Sequence, residues 1–216
     1  MPVRRIPRFG AQKNIGKFAS VKMGRIAWYE SLLERDYMYL LDFDPHVTYW
    51  HEQPFKIRYV LDGKTHNYTP DLEVHRGTKK QVVEVKSQEQ VDSGEFDIVF
   101  RAATSICEDE GYEYVVVTDR TIRQQPKLDN IKKLWKYART PLLPQHQLLC
   151  AEFFQANEEV ELGDLLSFFK SKNVVAQVVY AMMFWGILTF SLIEPLDDFT
   201  SLKMTGYSPA LLRKAS

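Results

Sequence analysis

A chain of 216 residues, 45% hydrophobic and 26% charged, is long enough for one domain of ordinary size and a smaller second one, and this composition excludes a disordered or fibrous protein. A formal net charge of zero excludes a global pull toward nucleic acid, so any such affinity has to come from local clustering. Two cysteines, Cys107 and Cys150, stand at no metal-ligating spacing and fit a reducing cytoplasm, and the basic start lacks the apolar segment of a secretory signal.

Clustering begins at the first residues. Between Met1 and Tyr29 the chain carries Arg4, Arg5, Arg8, Lys13, Lys17, Lys22 and Arg25 and no acidic residue. Residues 1–25 therefore read as a basic arm, either simply solvated or tracking phosphates and ordering on DNA; the two are compatible. Ile26 to Leu41 has apolar residues at a helical period, which predicts one helix ended by Asp44-Pro45. Ser31 and Glu34 fit a capping box, but Trp28 and Tyr29 continue the period upstream and place Ser31 inside the helix. Val47–Trp50 is a short strand, and Phe55, Ile57, Tyr59 and Leu61 alternate as a half-buried strand does. Asp62-Gly63 is a hairpin turn, Tyr68–His75 the returning strand, and Gln81–Lys86 the next after Arg76-Gly77. Glu95–Glu110 reads as a helix closed by Gly111, Tyr112–Thr118 as a central buried strand, and Leu128–Ala138 as a basic amphipathic helix.

This order predicts an α/β domain over residues 26–140, with a mixed β-sheet flanked by helices. Pro141 and Pro144 mark a boundary, and residues 141–216 have the size and element order of a winged-helix-like unit. Val174–Ile193 carries no charge and is long enough to span a membrane, but Gln177 and Gly186 interrupt it. A buried helix followed by a buried strand accounts for the same residues, and is the preferred reading.

The chemistry centres on Asp71, Glu84 and Lys86. Side chains alternate along a strand, so Glu84 and Lys86 share one face while Val83 and Val85 pack on the other. Pro70 pushes Thr69 extended and delivers Asp71 at a strand start, beside Glu84 if the two strands are neighbours. Two carboxylates held close repel unless a cation lies between them, and such oxygen donors suit Mg²⁺. A lysine on the same face can orient a water or stabilise charge on a phosphate. A Pro-Asp turn and an exposed Glu-x-Lys strand are each common as plain surface. In this order they form the PD-(D/E)xK pattern of metal-dependent nucleases. Glu30 and Glu34 lie one helical turn apart, and a helix beside the sheet could present one of them to the metal. Glu34 flanks the core seam and is the first choice; Glu30 is the reserve.

The runs SLLERDYMYLLDFDPHVTYWHEQPF (Ser31–Phe55), NYTPDLEV (Asn67–Val74) and VVEVKS (Val82–Ser87) together resemble TnsA, the endonuclease subunit of multi-protein cut-and-paste transposition systems. The resemblance covers roughly residues 20–140. It implies a restriction-endonuclease-like core with Glu34, Asp71, Glu84 and Lys86 as active-site positions. Glu34, Asp71 and Glu84, with the Val85 carbonyl, would hold one or two Mg²⁺ ions, which Mn²⁺ could replace. Gln53 belongs to the family pattern and reads as a supporting residue behind the ligands. The same resemblance implies cutting of the 5′ (non-transferred) strand at transposon ends in double-stranded DNA. It further implies a TnsB-like transposase for the 3′ ends, a TnsC-like AAA+ ATPase as regulator, and a bacterial cytoplasmic setting without membrane attachment.

The second unit invites a DNA-reading role, but Asn173–Thr200 contains no Lys or Arg, so its surplus apolar face suits a partner protein better. The helix with Lys127, Lys132, Lys133, Lys136 and Arg139 is a better DNA candidate, or a solvated face. Two alternatives stand beside the transposase reading: a stand-alone restriction or repair nuclease, and a non-catalytic adaptor for DNA or a partner.

Overall fold

A computed structural model of the chain describes residues 14–205. It divides into two compact units at Gln124/Gln125, earlier than the two prolines suggest. The helix expected to close the first domain belongs to the second unit, because it is stitched there. Its Leu128, Ile131 and Leu134 are buried, and Asn130 Nδ2 donates to the carbonyls of Leu192 and Glu194 at 3.3 and 2.7 Å. Its Oδ1 accepts from the Leu196 amide at 3.2 Å, so a buried amide side chain finds all its partners within that unit.

In the first unit, β1 (Gly16–Ala19) and β2 (Ile26–Tyr29) form an antiparallel hairpin. The helix α1 runs from Leu32 to Phe43. Two expectations are corrected here. Ile26–Tyr29 is strand rather than first helical turn, and Ser31 is the N-cap rather than an interior residue. Ser31 is extended (φ −140°, ψ 157°), and its Oγ accepts the Glu34 amide at 3.1 Å, satisfying one of the donors a helix start leaves free. Ser31→Ala should cost about 1 kcal/mol in urea unfolding; an unchanged midpoint would show that water replaces the cap.

Next come β3 (Val47–Glu52), β4 (Ile57–Leu61), β5 (Lys64–Tyr68), β6 (Leu72–Arg76) and β7 (Lys79–Lys86). They are followed by α2 (Gln88–Asp92), α3 (Asp97–Asp109), β8 (Glu113–Thr118) and α4 (Asp119–Ile122). The main sheet has the order β3-β6-β7-β8, antiparallel except for the parallel β7/β8 pair. β4 and β5 form a separate two-stranded ribbon around Asp62-Gly63, where both residues take positive φ (51° and 72°), as a two-residue hairpin turn requires. Tyr68 therefore ends the ribbon instead of opening a strand to His75. Pro70, which has no N–H for a ladder, separates β5 from β6.

β8 lies at the edge of the sheet, not in its centre. Its apolar run is explained by α3 packing against it rather than by strands on both sides. Trp50, Leu72, Val74 and Val83 share one buried face by register. There the Trp50 indole donates to Asp42 of α1 at 3.2 Å. On the other face Val82 packs with Ile57, Ala103 and Cys107, with Phe55, Tyr68 and Tyr114 around them. Helices thus flank a mixed sheet.

The second unit contains α5 (Lys127–Trp135), α6 (Pro144–Phe154), β9 (Glu159–Glu161), α7 (Leu162–Ser171), α8 (Ala176–Phe184), β10 (Leu188–Thr189) and β11 (Ser201–Met204). Its strands form an antiparallel sheet in the order β10-β11-β9. The uncharged stretch resolves into α8, a turn at Gly186 (φ 71°) and β10. Val178, Val179, Ala181, Met182, Met183 and Phe184 of α8 are all buried. Among the described residues, no helix is long and apolar enough to cross a membrane.

Candidate active site

The end of β7 and the start of β6 bring the sequence motifs together. The register pairs Leu72 with Val83, which carried back one residue sets Asp71 opposite Glu84. Asp71 Oδ2 accepts the Val85 amide at 2.8 Å, locking the carboxylate across the two strands. Glu84 is 3% exposed. Its Oε1 is ion-paired with the Lys86 ammonium and its Oε2 accepts the Tyr68 hydroxyl. The same-face placement of Glu84 and Lys86 follows from the strand period, and Val83 and Val85 are buried behind them.

Glu34 joins from the first turn of α1. It accepts the Glu30 amide at 2.8 Å, so its carboxylate does serve the helix start. It also lies within the field of Asp71: burial, then the Asp71 charge, push the Glu34 carboxyl up to about 7. Burial, then the Glu84 charge, push Asp71 up to about 8, with Lys86 and the Val85 amide pulling the other way. Burial disfavours charge on Lys86, yet Asp71 and Glu84 outweigh it and raise the ammonium above its ordinary value. The site is therefore a buried acidic cluster in which one lysine does not balance the carboxyls.

Gln53 lies between Glu30 and Asp71. It has a positive φ of 47°; its amide donates to the Asp71 carbonyl and its Nε2 to Glu30 Oε1, each at 2.9 Å. Glu30 in turn raises both Glu34 and Asp71, so the reserve carboxylate also acts on the cluster. Two members went unread in the sequence: Tyr68, and Tyr114 on β8, whose hydroxyls are 2.8 Å apart. The only local signal was Tyr68 standing three residues before Asp71.

Among the described residues, three of the basic side chains have partners within the first unit. Lys22 donates to the carbonyls of Leu41 (3.0 Å) and Asp44, holding the C-terminal end of α1. Arg25 pairs with Glu52 at 2.6 Å and lies over Trp50. Lys17 sits over the Trp28 ring at 4.9 Å. The three sit on or between β1 and β2 rather than in an arm. Arg4, Arg5, Arg8 and Lys13 lie outside the described residues.

Among the described residues no group of three or more His, Cys, Asp or Glu side chains is arranged as a ready cation cage. The donor set nevertheless fits a hard divalent cation in kind. Glu34, Asp71 and Glu84 offer carboxylate oxygens, and the raised Glu34 and Asp71 mark negative charge that such an ion would neutralise.

A mixed sheet flanked by helices, with buried carboxylates and a lysine gathered at one strand end, is consistent with a nuclease-like fold. Residues 44–119, which carry β3 to β8 with Asp71, Glu84 and Lys86, match the family described as TnsA-like endonuclease N terminal. Over that stretch the chain is similar to the TnsA-like endonucleases, and the resemblance read from the motifs stands. No curated protein matches the chain.

Proposed function

We propose that the chain is the endonuclease subunit of a multi-protein cut-and-paste transposase, hydrolysing the 5′ (non-transferred) strand at transposon ends with Mg²⁺. The observation that carries the reading is the convergence of Glu34, Asp71, Glu84 and Lys86 at one strand end, inside a stretch matching a TnsA-like endonuclease. Glu34, Asp71 and Glu84, with the Val85 carbonyl, would hold Mg²⁺ or Mn²⁺. The bound ion supplies Lewis acidity and positive charge at the scissile phosphate.

The chain's own groups do the positioning. Lys86, kept protonated by Asp71 and Glu84, presents an ammonium that orients water or screens charge developing on phosphate oxygens. Asp71 and Glu84 stay in place because a backbone amide holds one and a phenol and an ammonium hold the other. Gln53 holds Glu30 and the Asp71 backbone together. Water attacks phosphorus, the P–O3′ bond breaks and the departing oxygen takes a proton, leaving a 3′-hydroxyl and a 5′-phosphate.

A TnsB-like transposase would process the 3′ ends and a TnsC-like AAA+ ATPase would regulate both, in the bacterial cytoplasm. The basic residues 1–25 would contact double-stranded DNA. The second unit reads as winged-helix-like, supported by the three helices that follow α5 and a three-stranded antiparallel sheet. Its α8 is spent on its own core, so a partner protein would meet the exposed Ile193 and Phe199 between β10 and β11, which are 80% and 77% exposed.

The test is strand-specific cleavage of end-bearing plasmid with Mg²⁺, with and without the transposase and ATPase. Asp71→Ala should keep 3′ nicking and joining and lose the 5′ cut. Full excision by the variant overturns the assignment, and cleavage by the chain alone favours a stand-alone nuclease.

A further inference from the structure

The Glu84 carboxylate is held from two sides, and the two holders differ in kind. Lys86 meets Oε1 with a point charge on a flexible four-carbon stem, which attracts the carboxylate without fixing its plane. Tyr68 meets Oε2 with a phenol on a rigid ring. That ring packs against the cluster of Ile57, Val82, Ala103 and Cys107, so its hydroxyl has little freedom to wander. A phenol keeps its proton at neutral pH, so toward the Glu84 oxygen it is the donor. With its one proton committed to Glu84, the Tyr68 oxygen accepts from the Tyr114 hydroxyl at 2.8 Å. A chain of donors thus runs from β8 through the end of β5 to β7.

We infer that Tyr68 is a positioning residue for the Glu84 carboxylate, with Tyr114 steadying it from behind; the role rests on the metal-dependent cleavage proposed above. Tyr68 fixes Oε2, so Oε1 keeps its direction when Lys86 turns from it toward a phosphate. Thr69 and Pro70 tie the same segment to Asp71. One short stretch thereby supplies one carboxylate and the holder of the other. A hydrogen-bonded group behind a ligating carboxylate sets ligand orientation, and its loss commonly weakens metal binding about 10–100-fold.

Tyr68→Phe removes the hydroxyl and keeps the packed ring. Mn²⁺ titration of the full chain, read by the electron paramagnetic resonance of free Mn²⁺, should show affinity about tenfold weaker. Single-turnover cleavage at saturating DNA should slow with unchanged KM for DNA, and the unfolding temperature should move little. Tyr114→Phe, one bond further away, should weaken Mn²⁺ binding by about threefold, and it serves as the test if Tyr68→Phe does not fold. Tyr112→Phe is the control: its hydroxyl donates to Glu73 at 3.1 Å on the same sheet and should leave Mn²⁺ binding as in the wild type. Unchanged Mn²⁺ affinity in Tyr68→Phe, or an equal loss in Tyr112→Phe, overturns the positioning role alone. A wild-type chain that takes up no Mn²⁺ overturns the nuclease reading, and the positioning role with it.

Discussion

Asp71→Asn will abolish cleavage and at the same time make the chain harder to unfold. Asparagine keeps the shape and a side-chain oxygen that can still accept the Val85 amide, so the β6–β7 junction is preserved. What disappears is a carboxyl able to ionise, and so to meet a cation, among the carboxyls of Glu84, Glu34 and Glu30. Cleavage should fall by roughly a hundred- to a thousandfold, the scale reached when a group serving transition-state charge is removed. Stability moves oppositely because the Asp71 carboxyl is raised from 3.8 to about 8 in the folded chain. Between those values the folded chain keeps a proton that the unfolded chain has released, so stability is full below about pH 4 and drains away as pH rises toward 8. Glu34, raised from 4.5 to about 7, drains in the same direction. At neutral pH, relief of Asp71 should be worth on the order of 2 kcal/mol, discounted because its charge is shared with Glu84 and Lys86. Without divalent cation, the wild-type unfolding temperature should fall from pH 5.5 to 8, and Asp71→Asn should flatten that slope. Added Mg²⁺ should stabilise the wild type more than the variant. A variant less stable than wild type at pH 7.5 would mean that Asp71 is held by its partners more than it is repelled. Stability given up at a reactive site is a familiar trade, and here it has named carboxylates.

What the sequence made legible was whatever depended on short periods. Glu84 and Lys86 share a face because strands alternate, Asp62-Gly63 turns because both residues tolerate positive φ, and Pro70 sets the start of β6. What it hid depended on pairing between distant segments. Ile26–Tyr29 carries a helical apolar period but is strand, because Gly16–Ala19 lies beside it. That neighbour moves the helix start to Ser31 and leaves Glu34 both bonded at the helix start and within the field of Asp71. β8 looked central because it is apolar, yet the fourth position in the sheet is an edge covered by α3. Lys22 and Arg25 read as part of a basic arm because their partners, the end of α1 and Glu52, are roughly twenty or more residues away. Tyr68 escaped notice for the same reason: only the fold puts its hydroxyl on Glu84. The division at Gln124/Gln125 depended on Asn130 reaching carbonyls more than sixty residues later.

Asp42→Ala should be the most damaging single truncation in the first unit, for reasons of hydrogen bonding rather than volume. Asp42 is 1% exposed and sits near the end of α1 opposite to Glu34. Its Oδ1 accepts from Ser20 Oγ at 2.6 Å and from the Trp50 indole at 3.2 Å, and its Oδ2 from the Val21 amide at 2.8 Å. Three segments, namely the β1–β2 turn, β3 and α1, thus meet on one carboxylate. Alanine leaves a buried indole N–H and a buried hydroxyl without their acceptor, and each orphan costs roughly 1–3 kcal/mol. The Val21 amide is half-buried and recovers part of its loss from water. The sum, about 3–5 kcal/mol, is a large share of the 5–15 kcal/mol by which a domain is ordinarily stable. Asp42→Asn retains one oxygen acceptor but turns an NH₂ toward the remaining donors, so its cost should be smaller than that of alanine without vanishing. Urea unfolding followed by tryptophan fluorescence measures both. An Asp42→Ala midpoint within about 1 kcal/mol of wild type would show that water enters and serves all three donors, and the carboxylate would then not be what fastens α1 to the sheet. At a cost of that size, cleavage should weaken under conditions where the variant is still folded, because α1 carries Glu34 toward Asp71.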